Sequence, residues 1–149
     1  MYKIDDSDKS IIEVLKYNSK LSTIAIAKKT GIPPATVNRR IKKMLQFGVI
    51  KNFSVILDYE KIGLATSAYI LVRSTPGAYD YNISEHVKKY PEVEDISSIT
   101  GQFDTIIKAR AKNIDELSKF LFNFVRNVKC VSHTETLIVL KPELQSKNK

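Results

Sequence analysis

The segment from Leu21 to Phe53 constrains the fold of this chain most, because two short helical patterns meet within it at a glycine. Ser22 can cap the first of these helices, and Gly31 supplies the positive φ with which a chain commonly leaves a helix. Pro33-Pro34 starts the second helix, since proline is tolerated in a first helical turn. Two helices joined by so tight a turn predict a helix-turn-helix.

The second helix of this pair is basic and polar on one side. Its inward side is predicted from Val37, Ile41, Met44 and Leu45, which recur at helical spacing. The residues between them suit the DNA major groove, from which they can bond base edges near the helix start and phosphates further along. We expect DNA contacts from Ala35, Thr36, Asn38, Arg39, Arg40, Lys42 and Lys43. A solvated basic helix without a partner is the alternative.

The charge of the chain is concentrated in its first third. Residues 1–52 carry 11 lysines and arginines against 4 acidic residues, whereas residues 53–149 carry 13 against 12. This asymmetry favours a nucleic-acid module joined to a near-neutral module. We expect a helix-turn-helix domain at 1–52, a linker strand and turn at 53–62, and a second domain at 63–149. The linker strand is expected from Val49 to Leu57, where apolar residues alternate loosely.

The sequence pattern of the second module predicts six elements of secondary structure in the order βαββαβ. Strands are expected at 66–73, 93–99, 105–111 and 131–140, and helices at 81–90 and 114–125. This is the order of a ferredoxin-like fold, which makes the chain α+β. Helices would cover one face of the sheet, and we expect Leu71, Ile107 and Ile138 to line the other. A second copy of the chain would cover that face, so we expect a homodimer.

Few residues offer catalytic or metal chemistry. His86 and His133 are the only histidines, and Cys130 is the only cysteine. Cys130 and His133 lie three apart on a predicted strand and would point to opposite faces. We therefore expect no catalytic residue, no metal and no cofactor. The single cysteine, and the lack of an apolar run of about 20 residues, favour a cytoplasmic protein without a membrane segment.

Taken in order, these motifs resemble the Lrp/AsnC family of transcription regulators, also called feast/famine regulators. The resemblance rests on Ile4–Leu15, Gly31–Met44, Gly48–Phe53, Lys61–Gly63, Thr100–Asp104 and Ser132–Leu140. It implies a winged-type helix-turn-helix, a linker strand and a ferredoxin-like ligand-sensing domain. It further implies a sequence-specific regulator that binds a roughly palindromic site on double-stranded DNA as a dimer. Such dimers often assemble further into tetramers or octamers.

The resemblance also implies an amino-acid effector at an interface between C-terminal domains. The matching residues here are Thr100, Gly101, Gln102, Phe103 and Asp104. Gly101 lets a backbone N–H approach a carboxylate, and Asp104 offers a carboxylate to an ammonium group. Gln102 stands where the family has an acid, which disfavours a basic effector. An ordinary hairpin turn is the alternative, and it leaves open an effector-independent regulator or DNA-organising protein.

Two further points qualify the resemblance. The family usually has a serine where this chain has Pro33, and proline has no side-chain oxygen to cap the following helix. Siroheme decarboxylases share the same architecture and are the alternative of another functional class. The basic first module argues against such an enzyme.

Overall fold

The computed structural model describes residues 2–77 and 82–141, and these residues form two compact units. The first unit ends at Ile56 and the second begins at Leu57. The first unit contains three helices, and the second combines a four-stranded sheet with helices. The expected α+β class is therefore confirmed.

The first unit is built from α1 (Asp6–Tyr17), α2 (Thr23–Thr30) and α3 (Pro34–Gln46). The Ser22 hydroxyl accepts a hydrogen bond from Ala25 N at 3.2 Å, and Gly31 ends α2 with a φ of 73°. Leu45, expected on the inward side of α3, is 37% exposed. It directly follows the buried Met44 and is turned about 100° away from it. The buried core of the unit consists of Ile11, Leu15, Ile26, Val37 and Met44.

The segment after α3 is not the strand that we expected from Val49 to Leu57. Residues 51–58 have no regular secondary structure, and the sheet in the described part of the chain contains strands of the second unit only. A strand needs a neighbour to receive its backbone hydrogen bonds, and the sequence pattern alone does not supply one. Phe53, Val55 and Ile56 are accordingly exposed at 49%, 66% and 70%.

The second unit has the expected βαββαβ order. Its elements are β1 (Thr66–Ser74), α4 (Ile83–Val87), β2 (Val93–Ser98), β3 (Thr105–Ala111), α5 (Ile114–Phe120) and β4 (Val131–Ile138). The strands lie in the order β2-β3-β1-β4, and all neighbours are antiparallel.

Both helices of this unit differ from their predictions. α4 is shorter than the helix expected at 81–90, whose first residue, Tyr81, lies outside the described residues. α5 continues into a π-helical turn, Leu121–Val125, closed by a bond of 2.9 Å from Arg126 N to Leu121 O. That turn brings Leu121 and Val125 into the core beside the fully buried Phe120.

The sheet has one buried face and one open face, and the open face differs from our expectation. Ile107 is fully buried against the helices, and Ile138 pairs with the buried Ala68, so both belong to the helix side. Of the three expected residues only Leu71 lies on the open face, because side chains alternate along a strand. The other apolar residues of that face are Tyr69, Ile106 and Leu137.

Candidate functional site

The outward side of α3 carries most of the residues that the sequence predicts for DNA contact. Val37 and Met44 are fully buried, and this orients the helix on its core. Opposite them lie the exposed residues Ala35, Asn38, Arg39, Lys42 and Lys43, with Thr36 half-buried beside them. α3 therefore presents a basic and polar surface to solvent.

Three cations on this surface have no acidic partner among the described residues. Arg39, Lys42 and Lys43 form no salt bridge with any residue in the described ranges, and the first turn of α3 contains no acid. Cations that are not neutralised within the protein attract an anion such as a phosphate more strongly. The surface is thus suited to a nucleic-acid backbone.

The start of α3 lacks a side-chain cap. Pro33 occupies the N-cap position, and it makes no side-chain hydrogen bond to the first turn. Its carbonyl oxygen accepts the first helical hydrogen bond, from Val37 N at 3.0 Å. The N–H groups of Ala35 and Thr36 are left at the exposed end of the helix, and this matches the consequence expected for a proline at position 33.

Arg40 differs from the other basic residues of α3 because it is paired with acidic residues. Its Nη1 atom lies 2.7 Å from Asp5 Oδ2 and 2.9 Å from Asp8 Oδ1, and its side chain is 24% exposed. The hydrogen bonds that this guanidinium donates to Asp8 and then to Asp5 raise its pKa above the ordinary value. Because its charge is paired inside the first unit, Arg40 is less available to an anion than Arg39, Lys42 and Lys43, and its DNA contact stays a prediction.

Sequence reasoning does not identify the acidic partners of Arg40. Asp5 is the N-cap of α1 and forms a capping box with Asp8, in which each residue accepts a hydrogen bond from the backbone N–H of the other. The hydroxyl of Tyr2 also donates to Asp8, at 2.9 Å. The sequence does contain a signal, since a capping residue followed three positions later by an acid is the usual capping-box spacing.

The turn from Thr100 to Asp104 joins β2 to β3 and is fastened to the end of β1. Asp104 Oδ2 accepts a hydrogen bond of 2.6 Å from Ser74 N, and Asp104 N donates one of 2.9 Å to Val72 O. Gly101 has a φ of 121°, which only glycine adopts readily. One carboxylate oxygen of Asp104 is therefore used structurally, although the residue is exposed to solvent.

Two residues that sequence reasoning missed lie beside this turn. Arg73 Nε donates to Gln102 O at 2.8 Å, and its guanidinium lies 5.4 Å from the centre of the Phe103 ring. The His133 ring stacks on Phe103 at 6.1 Å between centroids. Arg73 and His133 come from β1 and β4 and are cross-strand partners, so only the register brings them together. The turn and the end of β1 thus bring a carboxylate, from Asp104, and a guanidinium, from Arg73, into one region of the second unit. These two groups are opposite in charge to the ammonium and the carboxylate of an amino acid.

Among the described residues of the second unit, Glu94 forms a separate ion-pair cluster with Lys108 and Arg110. Cys130 is buried, which raises the pKa of its thiol, and His86 lies against Tyr90 at 6.2 Å between ring centroids. No group of three histidine, cysteine or acidic residues in the described part of the chain could hold a metal ion. Among the same residues, no helix is both long and apolar enough to span a bilayer.

Comparison with known families gives two matches in succession along the chain. Residues 4–51 match a winged helix-turn-helix DNA-binding domain. Residues 67–148 match the Lrp/AsnC ligand binding domain. The first match contains α1, α2 and α3, and the second contains the sheet and its helices.

Individual proteins match over nearly the whole chain. The HTH-type transcriptional regulator FL11 of Pyrococcus horikoshii is 38% identical over 138 residues, which are 93% of this chain and 90% of that protein. The structure of Escherichia coli AsnC is 29% identical and has a TM-score of 0.85 over 97% of both chains. The Neisseria meningitidis regulator NMB0573, solved with L-Met, is 22% identical, and its TM-score of 0.89 over 99% of this chain and 96% of that chain shows the same fold. FL11 is a transcriptional regulator by name, so the comparisons favour a regulator over the decarboxylase-like alternative.

Proposed function

Because the chain belongs to the Lrp/AsnC family and is a DNA-binding transcriptional regulator, we propose that it reads DNA with the outward side of α3. The observation that supports this assignment is the set of three exposed cations with no acidic partner among the described residues. Asn38 and Arg39 lie nearer the helix start and are assigned to base edges. Lys42 and Lys43 lie further along and are assigned to phosphates.

The regulator acts as a homodimer in this proposal. Tyr69 and Leu137 are cross-strand neighbours on the open face of the sheet and are 37% and 47% exposed, so a second copy packed there would bury them. Two recognition helices related by a two-fold axis would enter major grooves about 34 Å apart, which gives a roughly palindromic operator. Higher assembly into tetramers or octamers is compatible with this arrangement. A DNA regulator of this kind would act in the cytoplasm.

The effector is proposed to be a small amino acid bound at the turn from Thr100 to Asp104. The remaining oxygen of Asp104 would accept hydrogen bonds from its ammonium, and Arg73 would pair with its carboxylate. The L-Met complex of the Neisseria regulator supports an amino acid as the chemical class. Gln102 adds no second negative charge, so a neutral side chain on the effector is favoured over a basic one. If no amino acid changes DNA binding, the effector-independent alternative replaces this part of the proposal.

A salt titration of DNA binding tests the main proposal. The DNA upstream of the protein's own gene would be compared with an unrelated fragment of equal length. Specific recognition predicts tighter binding to the upstream DNA that persists as the salt concentration rises. Equal affinity for both fragments, lost in parallel with salt, would indicate phosphate contacts alone and contradict specific recognition at this site.

Substitutions in α3 separate base reading from phosphate binding. Arg39→Ala is expected to cost about 1–3 kcal/mol on the preferred site and little on the unrelated fragment. Lys42→Ala is the matched control, and it should weaken binding to both fragments similarly and reduce the salt slope by about one. Equal losses on both fragments for Arg39→Ala would reassign Arg39 to a phosphate.

A further inference from the structure

The carboxylate of Asp8 is buried among three hydrogen-bond donors within the first unit. Its side chain is 1% exposed. Oδ2 accepts from the Tyr2 hydroxyl at 2.9 Å and from Asp5 N at 3.2 Å, and Oδ1 accepts from Arg40 Nη1 at 2.9 Å. Tyr2 and Asp5 precede α1, whereas Arg40 lies in the middle of α3. One buried acid therefore connects the N-terminal segment with the recognition helix.

Burying the Asp8–Arg40 ion pair between α1 and α3 has a high cost in desolvation free energy. Removing two charges from water costs several kcal/mol per ion, and a buried pair is weak evidence for a gain in stability. Arg40 Nε is moreover buried without a partner in the described structure, which adds to the cost. The best-attested benefit of a buried polar contact is that it fixes register, since only one placement of the helices satisfies it. Here the contact joins Arg40 of α3 to Asp8 of α1.

The same segment holds α3 at a second point. The Tyr2 ring stacks on Phe47 with 5.4 Å between centroids and an angle of 13° between the rings. Phe47 is the C-cap of α3, so Tyr2 contacts the end of the helix with its ring and Asp8 with its hydroxyl. The start of α3 has no side-chain cap of its own. In addition to the core packing of Val37 and Met44, α3 is thus held at its middle by Asp8 and at its C-terminal end by Tyr2.

We propose that Asp8 and Arg40 are positioning residues for DNA recognition, supported by Tyr2, and that Arg40 acts on DNA only by fixing the orientation of α3. This inference rests on the proposed DNA surface of α3. It assigns a functional role to an acid far from that surface in sequence. It also separates Arg40 from its neighbour Arg39, although both are basic residues of one helix.

Substitution of Asp8 gives a prediction whose sign is opposite to that of simple electrostatics. Asp8→Asn raises the net charge by one, and general attraction to DNA would then tighten binding. If Asp8 positions α3, the same substitution weakens specific binding by about tenfold or more, the order of one hydrogen bond to a charged group. Arg40→Gln is expected to cause a similar loss, and the double variant should lose no more than either single variant.

The salt dependence of binding distinguishes positioning from direct contact. The logarithm of the binding constant falls as the logarithm of the salt concentration rises, and each phosphate neutralised by a cation makes this slope steeper by about 0.9. A positioning Arg40 leaves the slope unchanged in Arg40→Gln, whereas a phosphate-binding Arg40 would make it flatter by about one. Lys43→Gln is the control that should make it flatter. All affinities are measured where circular dichroism shows each variant to be folded, so that a loss of stability alone does not reduce them.

The outcomes are distinct. Weaker binding of Asp8→Asn and Arg40→Gln, with the wild-type salt slope, supports the inference. Wild-type or tighter binding of Asp8→Asn, or a flatter slope for Arg40→Gln, overturns it. If Asp8→Asn does not fold, Tyr2→Phe replaces it, since it removes only the hydroxyl; a loss of affinity then supports the inference, and wild-type affinity overturns it. Absence of any sequence preference in the wild-type protein would instead refute the proposed DNA surface.

Discussion

Replacing Pro33 by serine tests how the recognition helix begins. The backbone angles of Pro33, φ −56° and ψ 141°, lie within about 15° of those of Ser22, which caps α2 with φ −66° and ψ 156°. A serine at position 33 can therefore adopt the conformation without strain. By analogy with the bond from Ala25 N to Ser22 Oγ, its hydroxyl would accept from Thr36 N.

The expected change in the free energy of unfolding on Pro33→Ser is the sum of two opposing effects. A serine cap in place of an uncapped residue is worth about 0.5–2 kcal/mol, whereas loss of the proline loosens the unfolded chain and costs about 0.4–1 kcal/mol. The free energy of unfolding should thus change by about −0.5 to +1.6 kcal/mol, which is a small gain in the middle of the range. The local effect is clearer than the net one, because the amide of Thr36 gains a partner.

Amide hydrogen exchange measures that local effect directly. Pro33→Ser should slow exchange at Thr36 and leave the amides of α1 unchanged. Ser22→Ala is the matched control, which should speed exchange at Ala25 and cost about 0.5–2 kcal/mol. Unchanged exchange at Thr36, or a destabilisation well above 1 kcal/mol, would show that the start of α3 is set by something other than the missing cap.

Three further predictions concern the second unit. Burial raises the pKa of Glu94, but hydrogen bonds from Lys108 and Arg110 outweigh it and hold this pKa below the ordinary 4.5. Glu94 therefore contributes stability above about pH 4.5 that is lost as the pH falls through its lower folded pKa, and Glu94→Gln should flatten that part of a pH–stability curve measured by urea unfolding. Leu137→Lys should weaken the proposed dimer by about 10- to 100-fold, since Leu137 is 47% exposed and each of two symmetric contacts loses about half of the roughly 1.5–3 kcal/mol of a fully buried leucine. An unchanged sedimentation profile would place the interface elsewhere. Asp104→Asn keeps an acceptor for Ser74 N but removes the charge, so calorimetry should show lost amino-acid binding with DNA affinity retained; unaltered binding would exclude this carboxylate.

The elements of the second unit follow closely from local sequence. The strand expected at 105–111 is observed over those residues, and α5 begins at the expected Ile114. Alternation and helical spacing depend on neighbours a few positions apart, which a single sequence shows directly. The π-helical turn after Phe120 was not predicted, because its apolar residues also fit an ordinary helix. Local pattern thus gives the type of an element more reliably than its final turn.

The predictions that were wrong or missing concern contacts between residues far apart in the sequence. Leu71 and Ile107 were expected on the same face, but the register pairs Ile107 with Ile70 and so places Leu71 on the opposite side. Arg73 and His133 were missed for the same reason, since β1 and β4 are far apart in sequence. Register depends on how whole strands pair, and no local pattern specifies it.

The recognition helix combines a start without a side-chain cap and a middle that is held by a buried acid, and these two features make opposite predictions for DNA binding. If the orientation of α3 depended on its own start, Pro33→Ser would change DNA affinity and Asp8→Asn would not. If Asp8 and Arg40 set the orientation, Asp8→Asn weakens binding while Pro33→Ser alters only helix stability and the exposed first-turn amides. The buried geometry favours the second case, because Arg40 reaches Asp8 over 32 residues of sequence with bond lengths typical of a charge-assisted hydrogen bond. In that case the basic surface would supply affinity for DNA, and the N-terminal segment would supply the placement of α3 that makes the binding specific.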